Sequence, residues 1–204
     1  MLDAATLQTL RQCLAAHAGQ TLTSELCHIL DGIVRFGPER WIDLARFEAE
    51  DFGTFTIRAE RFSEIFEELE PIHEEHWQET EKHRHGLVLN PTYDLLFARE
   101  RAGQLVQIVA RAADGSIAGH VRMYLGTSVH TGTLFAEEDT LFVRPQHRGG
   151  YLVVRLLRYA ERAVRQLGAR EIRADSKLIN NADVLMRRLK YKPVALKFHK
   201  FFED

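Results

Sequence analysis

"LFVRPQHRGGYLVVRLLRYAERAV", residues 141–164, decides the fold. It begins as an apolar strand, Leu141-Phe142-Val143, and ends in an amphipathic helix expected over 151–167. Between them lies a turn holding Arg144, Pro145, His147, Arg148 and the pair Gly149-Gly150. Such a turn is either a tight connection or a place where bare backbone N–H groups hold an anion. The positive end of the helix dipole favours phosphate there. Two familiar phosphate loops are excluded. Neither G-x-x-x-x-G-K-[ST] nor G-x-G-x-x-G after a first strand occurs in the chain.

Working outward from the turn, "GTLFAEEDTLFV" reads as the strand that feeds it. Strict alternation would put Asp139 on one face with Leu141 and Val143, and Glu138 on the other. Before it, "QLVQIVARAADGSIAGHVRMYLG" is a hairpin signal, two β-rich runs around Ala-Asp-Gly-Ser. "ERFSEIFEELEPIHEEHWQETEKHRHG" has a helical pattern in which Pro71 should end one helix or begin the next. "NPTYDLLFARERAG" is a turn and a short helix, and "FGTFTIRAE" (52–60) a first strand. Residues 5–17 and 22–35 read as two helices, the second capped by Thr21 or Thr23, with Leu26, Ile29, Leu30 and Ile33 as its apolar face. Downstream come the strand "REIRADS", the helix "NNADVLMRRL" and a last run, "YKPVALKFHKFF". Hairpins followed by crossovers indicate an α+β fold with a mixed sheet, over residues 51–204. Residues 1–50 read as an N-terminal helical appendage or dimerisation element, which makes a homodimer one expected assembly.

Composition narrows the function classes. At 204 residues, with 45% hydrophobic and 27% charged residues, the chain suits a soluble domain with a real core. No run approaches the roughly 18 apolar residues of a membrane span, and the opening "MLDAATLQTLRQ" has no signal-peptide pattern. With only Cys13 and Cys27, reduced thiols in the cytoplasm are expected. The net charge of −2 hides an asymmetry: residues 141–204 carry +9 and residues 1–140 carry −11. A basic half suits a polyanionic ligand. Nucleic acid is not the expected one, because no aromatic-basic stacking pattern accompanies the charge. The second helix also has no basic residue before Arg35 other than His28.

The basic turn after an antiparallel strand resembles the GNAT N-acyltransferase superfamily, whose signature there is R/Q-x-x-G-x-G/A. Gln146, His147, Arg148, Gly149 and Gly150 occupy the turn, while Tyr151 and Val153 stand where further small residues often lie. The second half of the resemblance is "INNADVLMRRLKY" against N-x-x-A-x-x-x-Y-x-x-x-G-F/Y. Ala182 and Tyr191 fall in register, Asn180 or Asn181 lies one or two places from the usual Asn, and Lys190 replaces the usual Gly. Met186 occupies the place where many members carry a Tyr that protonates the departing CoA thiolate. "ELEPIHEEHW", "SVHTGTLFAEEDTLFVRPQHRGG" and "LLRYAE" look like acetyltransferase-like proteins of phages and prophages. The resemblance implies a mainly antiparallel twisted sheet with flanking helices, and acetyl-CoA or another acyl-CoA as co-substrate. The acceptor would be an amine-bearing small molecule or protein.

The same resemblance implies roles. The backbone of Leu141, Phe142 and Val143 would pair with the pantetheine arm and offer an N–H to the thioester oxygen. Gln146, His147, Arg148, Gly149, Gly150 and Tyr151 would bind pyrophosphate, with Asn180 and Asn181 completing the cofactor site. Lys177, Lys190 and Arg155 reach the 3′-phosphate region or solvate the basic face. Asp139, at the place of an acidic proton relay, and Glu138 are the catalytic candidates. An ordinary carboxylate is a poor base unless burial raises its pKa. His73, His76 and Trp77 on the acidic helix, with His130, are candidates for the acceptor pocket. His73 and His76 are three apart, whereas H-E-x-x-H needs four, so no metal is expected. His120 or His130 is an alternative base, and Tyr191, Tyr151 or His147 an alternative acid. The rival to an enzyme is a catalytically silent acyl-CoA-binding or protein-interaction module.

Overall fold

The computed structural model describes residues 2–37, 39–80, 88–177 and 182–196. Helix α1 (Ala4–Ala16) starts at Asp3, whose carboxylate accepts the Thr6 N–H at 2.7 Å. Helix α2 (Ser24–Phe36) is capped by Thr23, whose Oγ1 accepts the Leu26 N–H at 3.1 Å. Side-chain caps of this kind satisfy donors that the first helical turn leaves open. Glycine lets α2 approach helix α4 (Tyr93–Arg101) closely, since a Cβ on Gly32 would lie 3.1 Å from that of Ala98.

Strands β1 (Glu50–Phe52) and β2 (Phe55–Glu60) form a hairpin where the sequence suggested one strand. Gly53, at φ 61°, takes the left-handed position that lets a two-residue loop reverse the chain. Helix α3 runs unbroken from Phe62 to Thr80 with Pro71 inside it, which corrects the expected break. Pro71 and Glu67, the residue whose carbonyl loses its partner, are both exposed, so water can take the bond. Leu69 and Ile72, on either side, are buried and hold the helix to the sheet. The buried carboxylate of Glu100 in α4 accepts the N–H groups of Phe62 and Ser63 and anchors the start of α3.

Strands β3 (Leu105–Arg111), β4 (Ile117–Thr127) and β5 (Leu134–Val143) complete an antiparallel meander. A short 3-10 turn at Pro145–His147 leads into α5 (Leu152–Gln166), and the chain returns through β6 (Glu171–Arg173), parallel to β5. The sheet order is β1-β2-β3-β4-β5-β6. The fold is therefore a mixed α+β one, a mainly antiparallel six-stranded sheet flanked by helices. One core lies between the sheet and α5, built on Val121, Met123, Leu156 and Ala160; the other lies under α3 and α4, built on Phe62, Leu69, Val109 and Phe142.

Helix α6 (Ala182–Arg188) closes at Lys190, which takes φ 69°, while the Tyr191 N–H returns to the Met186 carbonyl at 2.9 Å. That is the left-handed position helices usually end with, normally a glycine. Residues 191–196, the start of the last run, carry no strand, and the rest of that run lies outside the described residues.

Candidate active site

The cleft is made by two strands that part. Strand β6 pairs with β5 only at Phe135, Ala136 and Glu137; from Glu138 onward the outer edge of β5 has no strand beside it among the described residues. A cleft of about 430 Å³ opens there. Its β5 wall presents Glu137, Glu138, Asp139 and Leu141. Helix α3 adds His76 and Thr80, β4 adds Tyr124, the segment after β6 adds Asp175 and Lys177, and α6 adds Ala182 and Met186.

A bulge sets which way the carboxylates point. Glu138 opposes Met123 and Thr140 opposes Arg122, so Asp139 is an extra residue with no partner on β4. The alternation therefore slips. Leu141 and Val143 pack into the core under α5, whereas Asp139 turns to the α3 side and accepts a bond from Arg122 at 3.2 Å. This corrects the expectation that Asp139 shares a face with Leu141 and Val143. A one-residue insertion is invisible in the strand's own sequence, because it is defined by the register of its neighbour.

Below Asp139 lies a buried polar network. Arg122 donates through Nε to Gln107 at 3.2 Å and through Nη2 to His73 Nε2 at 2.7 Å, with its guanidinium 4.9 Å from the Phe62 ring centre. A guanidinium only donates, so His73 Nε2 accepts and its proton sits on Nδ1, facing the Tyr93 hydroxyl at 3.2 Å. Burial, reinforced by Arg122, pushes His73 down to about 3, and it stays neutral. His120 is fully buried, outside the cleft lining, and held far below the ordinary histidine value by burial and by Arg122.

Glu138 is the perturbed group of the cleft. Burial first, then the charges of Asp139 and Asp175, push its carboxyl up to about 8, with Lys177 opposing. A carboxyl poised there can take a proton near neutral pH. Tyr124 stands beside it, its phenol hydrogen-bonded to Asp139 and pushed up to about 12 by burial and that charge. It is thus a neutral O–H donor. Arg99 lies over its ring, 4.4 Å from the centre. Sequence reading missed Tyr124 and Arg122; the available signal was their two-residue spacing on β4, which puts both on one face.

The basic turn lies at the other end of β5. Gly149 takes φ 94°, which favours glycine, but at Gly150 a Cβ would meet nothing within 4 Å and the backbone is ordinary. The fold itself does not require Gly150. Tyr151 caps α5 without a side-chain bond, so no capping side chain takes the first amides of the helix. Arg148 folds back, donating to the Val143 carbonyl and to Glu79, both at 2.7 Å; Arg144 pairs with Glu75, also at 2.7 Å.

The parted sheet edge, the basic turn at a helix start and the first part of α6 all fall within the range of a family model. Residues 62–186 match that of the acetyltransferase (GNAT) family. The chain belongs to this family. No curated protein matches it in sequence. Among solved structures it resembles a ribosomal-protein-alanine N-acetyltransferase from Brucella melitensis biovar Abortus 2308, with 15% identity and a TM-score of 0.59, covering 74% of this chain and 100% of that one. Glucosamine-6-phosphate N-acetyltransferase from Arabidopsis thaliana gives 15% identity and a TM-score of 0.55 over 74% and 100% of the two chains. An aminoglycoside acetyltransferase from an uncultured soil metagenomic sample, crystallised with trehalose, gives 12% and 0.59 over 74% and 97%. Likeness at this identity shows the acetyltransferase fold.

On this acetyltransferase fold the expected site residues separate. Glu138, Asp139, Leu141 and His76 line the cleft, and Phe142 packs under it against the His76 ring, 5.1 Å between centres. His73 is in the buried network, Trp77 is half-buried outside the cleft lining, and His130 is exposed in the β4–β5 turn. His147 packs its ring edge-on to Phe55 at 5.6 Å. Lys177 lies in the cleft beside Glu138, while Arg155 pairs with Glu50. Met186 lines the cleft. Burial, and then the Glu161 carboxylate bonded to it, raise the Tyr191 phenol above the ordinary value, and Tyr151 is 73% exposed. Asn180 and Asn181 lie outside the described residues. Among the described residues no group of three or more His, Cys, Asp or Glu could hold a metal ion, and no helix is long and apolar enough to cross a membrane.

Proposed function

We propose that the protein is an acyl-CoA-dependent N-acetyltransferase that moves an acetyl group from CoA to a primary amine by direct attack on the thioester. The observation that carries this is the edge of β5 from Glu138 to Val143, which no strand joins among the described residues, with a proton acceptor and a proton donor beside it. In this reading the turn Gln146–Tyr151 and the first amides of α5 bind the pyrophosphate, and the edge of β5 at Leu141–Val143 receives the pantetheine arm. Glu138 takes a proton from the acceptor's ammonium, and the neutral amine so formed attacks the thioester carbon. Asp139, tied to Arg122, holds the local charge. Tyr124 replaces the phenol missing at Met186 and donates to the departing thiolate, a role a thioether cannot fill. His76 and Thr80 form the acceptor wall. Asn180 and Asn181 remain cofactor candidates on the resemblance alone.

Residues 1–50 are then an appendage to an acyltransferase domain over 51–204, available for homodimerisation. The phage-like motifs and the two cysteines support a phage-type cytoplasmic member that acts on a small molecule or a protein. The test is CoA-thiol release with acetyl-CoA against amines, polyamines, aminosugars and lysine-bearing proteins. Micromolar acetyl-CoA binding with no thiol above hydrolysis for any acceptor would favour a silent binding module, the reading that Met186 in the cleft supports.

A further inference from the structure

The geometry points to Arg122 as the residue that positions the two adjacent carboxylates of the cleft for proton transfer, Asp139 by direct contact and Glu138 through Asp139. The inference rests on reading the cleft as an acyl-transfer site.

The bulge is the first reason. Asp139 has no partner across the β4–β5 ladder, so the ladder does not orient it. Its Oδ2 instead accepts from Arg122 Nη1 at 3.2 Å and from the Thr140 hydroxyl at 3.0 Å. Arg122 is itself fixed: only 5% exposed, it spends Nε on Gln107 and Nη2 on the neutral His73, with Phe62 against its face. Three diverging bonds in one plane are what a guanidinium offers and an ammonium does not. His73 can accept only because it is neutral, so the network locks a single arrangement.

Energetics supply the second reason. Burying an ion pair usually stabilises a fold no better than apolar residues of similar volume. A guanidinium placed under one part-exposed carboxylate is therefore better explained by what it does to that carboxylate. It holds the Asp139 carboxylate in place, where the Tyr124 phenol bonds to it and its charge acts on Glu138. Around Glu138 stand Glu137 and Asp139 on β5, Asp175 and Lys177 beyond β6, and Tyr191 beyond α6. Lys177 is the single cation among these groups. Without Arg122 the Asp139 charge would stand unopposed beside Glu138, and Glu138 would hold its proton more tightly, because a nearby anion disfavours the ionised form.

The experiment compares wild type, Arg122→Met and Arg122→Lys by pH profile of kcat/KM, acetyl-CoA affinity and carboxyl 13C NMR titration of Glu138 and Asp139. Arg122→Met should lower kcat at least tenfold, shift the acid limb up by about one pH unit, and leave acetyl-CoA affinity within about twofold. Arg122→Lys keeps the charge and loses the fork: kcat should fall about tenfold with the limb nearly in place. Should Arg122→Met fail to fold, Arg122→Lys decides through kcat. A lower Tm with wild-type kcat and limb would reduce Arg122 to a structural residue and overturn the inference. If wild type acetylates nothing, the reading of the cleft fails separately; the NMR midpoints still show whether Arg122 sets the pair, and unmoved midpoints in both variants would overturn that too.

Discussion

The two faces of the sheet are built on opposite principles. Under α5 the interior is dry: Ile57, Val121, Met123, Ala136, Leu156 and Val164 pack without a charged group among them. Under α3 the same strands bury Gln107, His120 and Arg122 against His73, and the network reaches the surface at Asp139 in the cleft. Apolar burial alone holds a fold together. A polar interior is costly unless each group is satisfied, and it is useful where a charge must be held still. The dry face carries most of the apolar burial, and the cleft opens where the two faces meet, with Asp139 and Tyr124 from the polar side and Glu138, Leu141 and Met186 from the other.

The largest effect that could break this comparison is on the dry face. Ile57 is fully buried on β2, away from the cleft. Ile57→Ala should cost about 2–5 kcal/mol in denaturant unfolding, with kcat per folded molecule unchanged. A large loss of kcat with intact stability would show that the dry face also sets the site.

On the cleft side, Glu138→Gln should lower turnover by about a hundredfold with acetyl-CoA affinity near normal. Asp139→Asn should lower it less if Asp139 supplies charge while Glu138 takes the proton; the reverse order would exchange the two roles. Stability adds a second readout. The Glu138 carboxyl stands at about 8 in the folded protein against an ordinary 4.5. Between those values the folded state binds more protons than the unfolded chain, so stability falls as pH rises through the window. Glu138→Gln has no such proton to lose. Its Tm relative to wild type should therefore climb between about pH 5 and pH 8.5; a flat difference would place the wild-type carboxyl at its ordinary value.

Gly150 tests the other end of β5. Nothing in the fold needs a glycine there, so Gly150→Glu should leave Tm nearly unchanged. It should weaken acetyl-CoA binding at least tenfold, about 1.4 kcal/mol. Unchanged affinity would remove the turn from the site.

How much of this was legible in the sequence follows from the range of each interaction. The Ala113–Ser116 turn, the Thr23 cap and α5 are local, and local residues announced them. The order of strands followed from short connections. The continuous α3 was not legible, because Pro71 is tolerated only where its lost bond faces water, and exposure is a tertiary property. The bulge at Asp139 was not legible either, since two strands must be laid side by side to see it. For the same reason Arg122 and Tyr124 escaped notice, and the poise of Glu138, set by burial first and then by Asp139 and Asp175, is not visible in its own strand.

The smallest effect sharpens the comparison at α6, the helix that carries Met186 into the cleft. Lys190 takes φ 69°, where a Cβ crowds the backbone, and the Tyr191 N–H closes the helix onto Met186. The left-handed conformation costs an ordinary residue roughly 1–2 kcal/mol, whereas glycine adopts it freely but gives up about 0.5–1 kcal/mol of chain entropy on folding. The first term is the larger, so Lys190→Gly should stabilise the protein by about 0.5–1 kcal/mol, read as a higher midpoint in denaturant at unchanged slope. Because the carbonyl that closes the helix belongs to Met186 itself, a firmer end also holds the cleft wall. A loss of stability instead would mean that Lys190 makes contacts worth more than the strain it carries.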